Sequence, residues 1–210
     1  MRALLVNAWL SAQSRQPRLR GHLAHLLAQD ENVLRVGPGL RLGGWPTVQI
    51  TDGSSISVGA DVEIRQGVEL RAHQGARIII EDGVRIDRGV RLLSTNGHTL
   101  LLRRGARIGI GSVVNGGDNV DIGEGALISG YVYLQTSMHR HEQSSTIIAQ
   151  GFTHAPVTIG ADCWLGAHVT IMPGVHVGKG AIVGSNAVVT SDVADGFVVA
   201  GVPARVLRGR

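Results

Sequence analysis

A six-residue repeat of aliphatic side chains constrains the fold of this chain more than any other feature. From residue 159 to residue 189, every sixth residue is Ile, Leu or Val, and the residue two positions earlier is small or aliphatic. Helices and simple alternating strands place their apolar residues at other spacings. The repeat predicts a coil of short parallel strands, stacked about 4.8 Å apart, with both residues of each pair pointing inward. The repeating residues are Ile159, Leu165, Ile171, Val177, Val183 and Val189, and their small partners are Val157, Cys163, Val169, Val175, Ala181 and Ala187.

The same spacing occurs upstream, in three blocks that differ in phase. Three sides of this kind make a triangular turn of about 18 residues, so we predict about six or seven coils between residues 56 and 194. The predicted fold class is an all-β solenoid, a parallel β-helix of hexapeptide repeats with a short N-terminal helical segment and a protruding loop. The upstream blocks are Val58, Ile64 and Leu70; Ile80, Ile86 and Leu92; and Ile110, Gly116, Ile122, Ile128 and Leu134.

Breaks in phase predict where the chain leaves the coil, because extra residues must project as a loop. The largest break gives a polar loop at 135–156, and a second break covers Ser94 to Arg107. Residues 2–29 favour one or two short helices separated by Pro17, which we expect to cap the open end of the prism. The expected divisions are therefore a helical arm at 1–50, the β-helix at 51–195 and a basic tail at 196–210.

Composition narrows the class of protein. With 30 glycines and 43% hydrophobic but only 3% aromatic residues, the chain is neither disordered nor an ordinary helical bundle. It has no apolar run of the roughly 20 residues that span a bilayer, and Cys163 has no second cysteine to pair with. We therefore expect a cytoplasmic protein. The net charge of +4 is spread along the chain and not interleaved with aromatics, so we expect no nucleic-acid partner.

A family resemblance covers about residues 105 to 208. It rests on the segment PVTIGADCWLGAHVTIMPGVHVGKGAIVGSNAVVTSDV, followed by AGVPARVLR. This stretch resembles the hexapeptide-repeat acyltransferases, and among them it is similar to the galactoside and maltose O-acetyltransferases and to bacterial polysaccharide O-acetyltransferases. The resemblance implies a left-handed parallel β-helix, a homotrimer, and acetyl-coenzyme A bound as acyl donor in the groove between neighbouring subunits.

The resemblance also implies a catalytic base. In the family, a histidine before the protruding loop has this role, and the matching residue is His139. An imidazole suits the task, because its ordinary pKa near 6.5 allows it to take a proton from an attacking hydroxyl at neutral pH. His141 is a possible assistant or second candidate. The alternative interpretation is that either histidine is simply a solvated loop residue.

The expected coenzyme A site follows from the same match. Cations and main-chain amides suit the phosphates and the extended arm of this ligand. Ser191 stands where the galactoside enzymes have a lysine, and the alternative for the arginines is a solvated basic tail. The residues that match donor-binding positions are Trp164, Ala167, Ser185, Thr190, Arg205 and Arg208.

The acceptor is expected to be a sugar hydroxyl of a polysaccharide, a lipid-linked precursor or a nucleotide sugar. The acidic acceptor-binding position of the galactoside enzymes aligns with Gly117, and Asp118 stands beside it. Asp118, Asn115 and His141 are the candidate acceptor contacts, although a Gly-Gly-Asp-Asn sequence also suits a corner.

Three alternatives to O-acetyl transfer stay open. They are acyl transfer to an amino sugar, a non-catalytic trimeric scaffold, and a metal-dependent hydratase resembling the β-helical carbonic anhydrases. The paired histidines five residues apart that the hydratases use do not occur around His139, so we expect no metal. Contact of the arginine-bearing N-terminal arm with a membrane surface is a further possibility, and we favour the cap instead.

Overall fold

The computed structural model describes residues 16–24, 33–142 and 145–210. Short strands follow one another around three sides of a column, and each strand pairs in parallel with the strand one coil away. We call the three sheets face 1, face 2 and face 3, in the order in which the chain meets them. The result is a parallel β-helix of about seven turns, as the six-residue repeat predicted, and it is consistent with the left-handed hexapeptide-repeat form.

Each face is a stack of strands of two to five residues. The strands of face 1 are Leu34–Val36, Ser55–Val58, Arg77–Ile80, Thr99–Leu102, Val120–Ile122, Val157–Ile159 and His176–Val177. Those of face 2 are Arg41–Leu42, Glu63–Ile64, Arg85–Ile86, Arg107–Ile108, Leu127–Ile128, Trp164–Leu165, Ile182–Val183, Phe197–Ala200 and Arg205–Gly209. Those of face 3 are Thr47–Ile50, Glu69–Ala72, Arg91–Ser94, Val113–Gly116, Tyr133–Gln135, Thr170–Ile171 and Val188–Val189.

The aliphatic side chains of the repeat fill the centre of the column. All six ladder residues from Ile159 to Val189 are buried, and so are the six small or aliphatic residues that precede them by two. Apolar burial of this kind contributes about 25 cal/mol per Å², and stacking the coils makes one continuous core. The periodicity therefore identified the inward face of every strand in this segment.

The coils are longer at the N-terminal end than the sequence predicted. Ile56 pairs with Ile78 and Ile78 with Leu100, so neighbouring strands there are 22 residues apart, as is the Ala60–Asp82 hydrogen bond between the same coils. After the loop, Thr158 pairs with His176, which gives the expected 18-residue turn. The extra residues lie in four-residue strands on faces 1 and 3, where a side has three inward residues, such as Ala76, Ile78 and Ile80, instead of two.

Two predictions about the upstream repeat were wrong for this reason. Residues 94–107 do not leave the column as a loop, because Thr99–Leu102 is a strand of face 1 paired on both sides. Ile110 is only half-buried, and the inward residues of that coil are Ile108 and Val114. Two extra residues on one side keep the alternation of inward and outward side chains in the strand, but they displace the six-residue repeat that follows by two positions. A longer side therefore looks like a break in phase in the sequence.

The first coil also begins earlier than the expected boundary at residue 50. Leu34–Val36, Arg41–Leu42 and Thr47–Ile50 are its three sides. Residues 16–24 are helical and pack on this coil, where the Arg20 guanidinium donates a 2.9 Å hydrogen bond to the carbonyl of Gly43 and Ala24 touches the core. The helix expected before Pro17 lies outside the described residues.

An apolar cavity of about 220 Å³ lies between this helix and the first coils, lined by residues that include Ala24, Leu34 and Trp45. At the other end, Phe197–Ala200 and Arg205–Gly209 form an antiparallel hairpin that completes face 2, so the predicted basic tail is a pair of strands. Within the described ranges, no helix is both long enough and apolar enough to cross a bilayer.

Candidate active site

The protruding loop leaves the column after face 3 and returns at face 1, as predicted, and Thr136 holds both of its ends. The Thr136 side chain is fully buried, and its hydroxyl donates to the carbonyl of Asn115 at 3.0 Å and accepts from the amide of Asp118 at 3.0 Å. Its own carbonyl accepts a 2.9 Å hydrogen bond from the amide of Ala155 on the returning end. A buried hydroxyl with all its bonds formed fixes the root of the loop.

Above this root the loop forms a two-stranded antiparallel ribbon, Ser137–His139 paired with Phe152–His154, which we call the loop ribbon. Ser137 lies opposite His154, and His139 lies opposite Phe152. Beyond it are a 3₁₀ turn at Ile147–Gln150 and the end of the loop. Because every second side chain of a strand points to the same side, Ser137, His139, Phe152 and His154 share one face of the loop ribbon.

His139 is exposed on this face, and its imidazole packs against the Phe152 ring with the two centroids 4.1 Å apart. Neither nitrogen of the His139 ring has a hydrogen-bond partner among the described residues. An exposed imidazole with both nitrogens open can take a proton from a bound hydroxyl. The predicted base is therefore held in place by an aromatic ring, and its nitrogens are accessible.

His141 is exposed beyond the end of the loop ribbon. Its Nδ1 lies 3.4 Å from the carbonyl oxygen of His139, and no hydrogen bond or ring contact with the described residues ties its side chain to the shared face. In the described part of the chain, no three His, Cys, Asp or Glu side chains are grouped so that they could hold a metal ion.

Asn115 and Asp118, the predicted acceptor contacts, lie at the root of the loop. Asn115 lies in the face 3 strand Val113–Gly116, opposite Gln135, and its side chain is half-buried. Asp118 lies at the following corner, where Oδ1 accepts from the amide of Asn119 at 2.6 Å and lies 3.4 Å from Nδ1 of His98. His98 was not expected at the site, because it belongs to the preceding coil.

Trp164 lies on face 2 with its side chain outward and 48% exposed, as the alternation predicted. Its indole nitrogen donates to the Ser129 hydroxyl at 3.1 Å, and it stacks in register above Leu127, which is also exposed. Beside it, Cys163 points into the core, and burial raises the pKa of its thiol above the ordinary value. A protonated, buried thiol is inert, as expected.

Ala167 and Ser185 lie one above the other at the corner between faces 2 and 3, where the amide of Asn186 donates to the carbonyl of Ala167. Next to them the His168 ring stacks on Tyr131, with the centroids 5.1 Å apart. Both rings belong to residues with a left-handed backbone, φ near +59°, a conformation that non-glycine residues seldom adopt. This corner therefore carries an exposed aromatic stack that the sequence did not reveal.

Arg205 and Arg208 are exposed on the C-terminal hairpin of face 2. Their guanidinium groups donate only to nearby main-chain carbonyls, those of Ala204 at 2.9 Å and Gly209 at 3.1 Å. Neither has a carboxylate partner within the described ranges, so both have donors left for phosphate oxygens. In contrast, Arg210 is held by Asp162 at 2.8 Å.

The structure groups these residues at different corners of one chain. His139, Asn115 and Asp118 lie with the loop after face 3, and Thr190 follows the last strand of that face. Ala167 and Ser185 lie at the corner before face 3, while Trp164, Arg205 and Arg208 lie on face 2. Thr190 therefore shares the corner of the loop, and the other residues matched to the acyl donor lie apart from the matched base in a single chain.

Residues 156–191 match the family model for the bacterial transferase hexapeptide, six repeats. This segment is built of bacterial transferase hexapeptide repeats. The match coincides with the 18-residue coils that follow the loop, and the resemblance to hexapeptide-repeat acyltransferases is confirmed.

Two curated relatives of this chain are named as acetyltransferases. The chain is 33% identical to a probable acetyltransferase of Mycobacterium tuberculosis over 49% of its own length and 35% of that protein. It is 40% identical to the galactoside O-acetyltransferase of Escherichia coli over 42% of its own length and 43% of that protein. The chain thus covers less than half of each of these relatives.

The fold itself extends over nearly the whole chain. A variant of the N-acyltransferase AntD from Bacillus cereus, solved with dTDP-4-amino-4,6-dideoxyglucose and coenzyme A, superimposes with a TM-score of 0.62. The likeness covers 90% of this chain and 88% of that one at 17% identity, so it concerns the fold alone.

Proposed function

We propose that this protein is an acetyl-coenzyme A-dependent O-acetyltransferase that acts on a sugar hydroxyl. The observation that carries the proposal is His139, an exposed imidazole on the loop ribbon. The chain that bears it contains hexapeptide repeats and is similar to named acetyltransferases. The acceptor sugar belongs to a polysaccharide, a lipid-linked precursor or a nucleotide sugar.

In the proposed reaction, His139 takes the proton of the acceptor hydroxyl as its oxygen attacks the thioester carbonyl. The carbon–sulfur bond then breaks, the acetyl group stays on the acceptor oxygen, and the proton passes to the departing thiolate. A positioned base of this kind contributes about a hundred- to ten-thousand-fold to the rate. Phe152 supports the role by fixing the ring plane of His139.

The donor groups suit coenzyme A by their chemistry. Arg205 and Arg208 offer guanidinium donors that no carboxylate within the described ranges occupies, and these fit the phosphates. Ala167 and Ser185 present small side chains along a corner, which leaves the main chain accessible to an extended arm. Trp164 provides an exposed apolar surface on the adjoining face.

The separation of the base from the donor residues in one chain supports a site shared between copies. We propose a homotrimer in which the loop ribbon of one subunit faces the donor residues of its neighbour. Co-expression of a His139→Ala chain with an Arg205→Ala/Arg208→Ala chain tests this. Mixed assemblies should regain part of the activity that each variant alone lacks, whereas a site within one chain would stay inactive in every mixture.

The acetyl-transfer proposal is tested without knowledge of the acceptor by calorimetric titration with acetyl-coenzyme A. We expect micromolar binding at about one site per chain. His139→Ala should keep that affinity and lower thiol release at least about a hundredfold, while the exposed His176→Ala on face 1 should change neither. Folded protein that does not bind acetyl-coenzyme A would contradict the proposal and favour a non-catalytic scaffold.

A further inference from the structure

His154 lies on the same face of the loop ribbon as His139. It is opposite Ser137 and therefore diagonal to His139, which is opposite Phe152. Diagonal residues of an antiparallel pair are about 7–8 Å apart, within mutual reach of long side chains. The Phe152 ring lies near both imidazoles, with its centroid 4.1 Å from that of His139 and 6.2 Å from that of His154. Two histidines thus flank one aromatic ring on an exposed surface.

The His154 ring is held more firmly than the His139 ring. Its Nδ1 lies 2.9 Å from the Ser137 hydroxyl, and this pair rests on the main chain of Gly117. A Cβ at residue 117 would collide with the Ser137 hydroxyl and would lie 2.8 Å from Nδ1 of His154. One nitrogen of His154 is therefore committed to the protein, whereas Nε2 has no partner among the described residues.

Below the pair, Gly117 is fixed on both sides. Its carbonyl accepts a 3.0 Å hydrogen bond from the Asn96 side chain, and the next residue, Asp118, donates its amide to the Thr136 hydroxyl. Oδ2 of Asp118 has no partner among the described residues, whereas Oδ1 contacts His98. The main chain beneath the Ser137–His154 pair is thus held in place by hydrogen bonds.

We propose that His154 is a second acceptor-binding residue, oriented by Ser137, whose Nε2 hydrogen-bonds one hydroxyl of a sugar ring while His139 takes the proton of another. This inference rests on the proposed function. A polyhydroxylated ring is the ligand class that fits, because the shared face offers two imidazoles and an aromatic surface. His154 positions the acceptor, and His139 performs the proton transfer.

Binding is tested first, with methyl β-galactoside, maltose and glucosamine as probes and histidine ring NMR as the readout. At millimolar concentration, at least one probe should shift the His154 signals, assigned by their loss in His154→Gln. Absence of any shift with all three probes would overturn the inference. Glucosamine also reports whether an amine is the preferred acceptor, since its product would be an amide.

Kinetics with the probe that binds best then separate positioning from catalysis. His154→Ala should raise the acceptor KM at least about tenfold and change kcat by less than about threefold, with unaltered affinity for acetyl-coenzyme A. His154→Gln, which keeps a polar group, should recover part of the KM, and Ser137→Ala should raise it severalfold. His176→Ala is the matched control, because it removes an exposed histidine of face 1 that is not part of the loop ribbon.

Two results would overturn the positioning role. Loss of kcat by about a hundredfold at unchanged KM would make His154 the base, and an unchanged KM and kcat would leave the Ser137–His154 pair with a purely structural role. Failure of the proposed function would look different. No thiol would be released with any probe, although the probes would still shift the His154 ring signals.

Discussion

Arg85 and Arg107 lie directly opposite each other on neighbouring strands of face 2, and no carboxylate in the described chain pairs with either. The acids nearby are already engaged: Glu63 binds Arg41 and Arg65, and Asp87 binds Arg65. Like charges opposite each other in a sheet destabilise it. The centre of face 2 therefore carries two cations that the monomer does not neutralise.

Replacing Arg107 with Glu should stabilise the isolated chain, because it converts the repulsion with Arg85 into an ion pair. We expect the free energy of unfolding to rise by about 0.5 kcal/mol, measured by urea titration at low salt. Arg103→Glu is the matched control. It makes the same charge change but destroys the two 2.7 Å hydrogen bonds to Asp121, so it should destabilise the chain. Equal effects of both substitutions would contradict this account.

Replacing Thr136 with Val should loosen the root of the loop. The change keeps the shape of the buried side chain but leaves the Asp118 amide without its acceptor, at a cost of about 1–3 kcal/mol. Thr153→Val is the control, because Thr153 is exposed and makes only a 3.4 Å contact with Met138. Chemical denaturation measures both variants, and equal stabilities would show that the Thr136 hydroxyl has no structural role.

Replacing Gly117 with Ala should separate Ser137 from His154. The added methyl group occupies the space of the Ser137 hydroxyl, so the hydrogen bond to His154 breaks, with a loss of about 1 kcal/mol. Gly209→Ala should have almost no effect, because no atom lies within 4 Å of a Cβ at that position. The His154 ring signals in NMR report the change, and signals identical to those of the wild type would refute the contact.

The Cys163 thiol should make stability fall at alkaline pH. Burial raises the pKa of the folded thiol above its ordinary value of 9.0, so the folded state retains a proton that the unfolded state loses. This contribution is complete below about pH 9 and is lost as the pH rises toward the folded pKa. Cys163→Ala should flatten the dependence above about pH 9, measured by denaturant midpoints. An unchanged slope would mean that the thiolate is tolerated in the core.

The sequence predicted the column because the residues that recur every six positions are also the residues that are buried. Ile159, Leu165 and Ile171 are six residues apart and all point inward. It did not predict the 22-residue coils, because a longer side such as Arg77–Ile80 places Ile78 as well as Ile80 inside the column and leaves the alternation unchanged. Local patterns show which residues point inward, but they do not show how many inward residues belong to one side of a coil.

The candidate site was predictable in part for a similar reason. His139 matched a family position, and the alternation in Phe152–His154 could have suggested a strand at the far end of the loop. The partnership of His154 with Ser137, 17 residues away, depends on the hairpin register, which no local pattern supplies. His98 and Asp118 meet because they lie in neighbouring coils, and coil length had to be known first.

The coils shorten from 22 residues, through a coil of 20 residues before the loop, to 18 residues after it, and this limits how the protein can be rearranged. A two-residue strand such as Thr170–Ile171 cannot cover the four-residue ladder of Arg91–Ser94, and the uncovered amides would lose their partners. Coils can therefore be duplicated or exchanged among the 22-residue coils or among the 18-residue coils, but a coil of one length cannot replace a coil of the other. Residues 120–157, where the loop is inserted, separate the longer N-terminal coils from the 18-residue C-terminal coils.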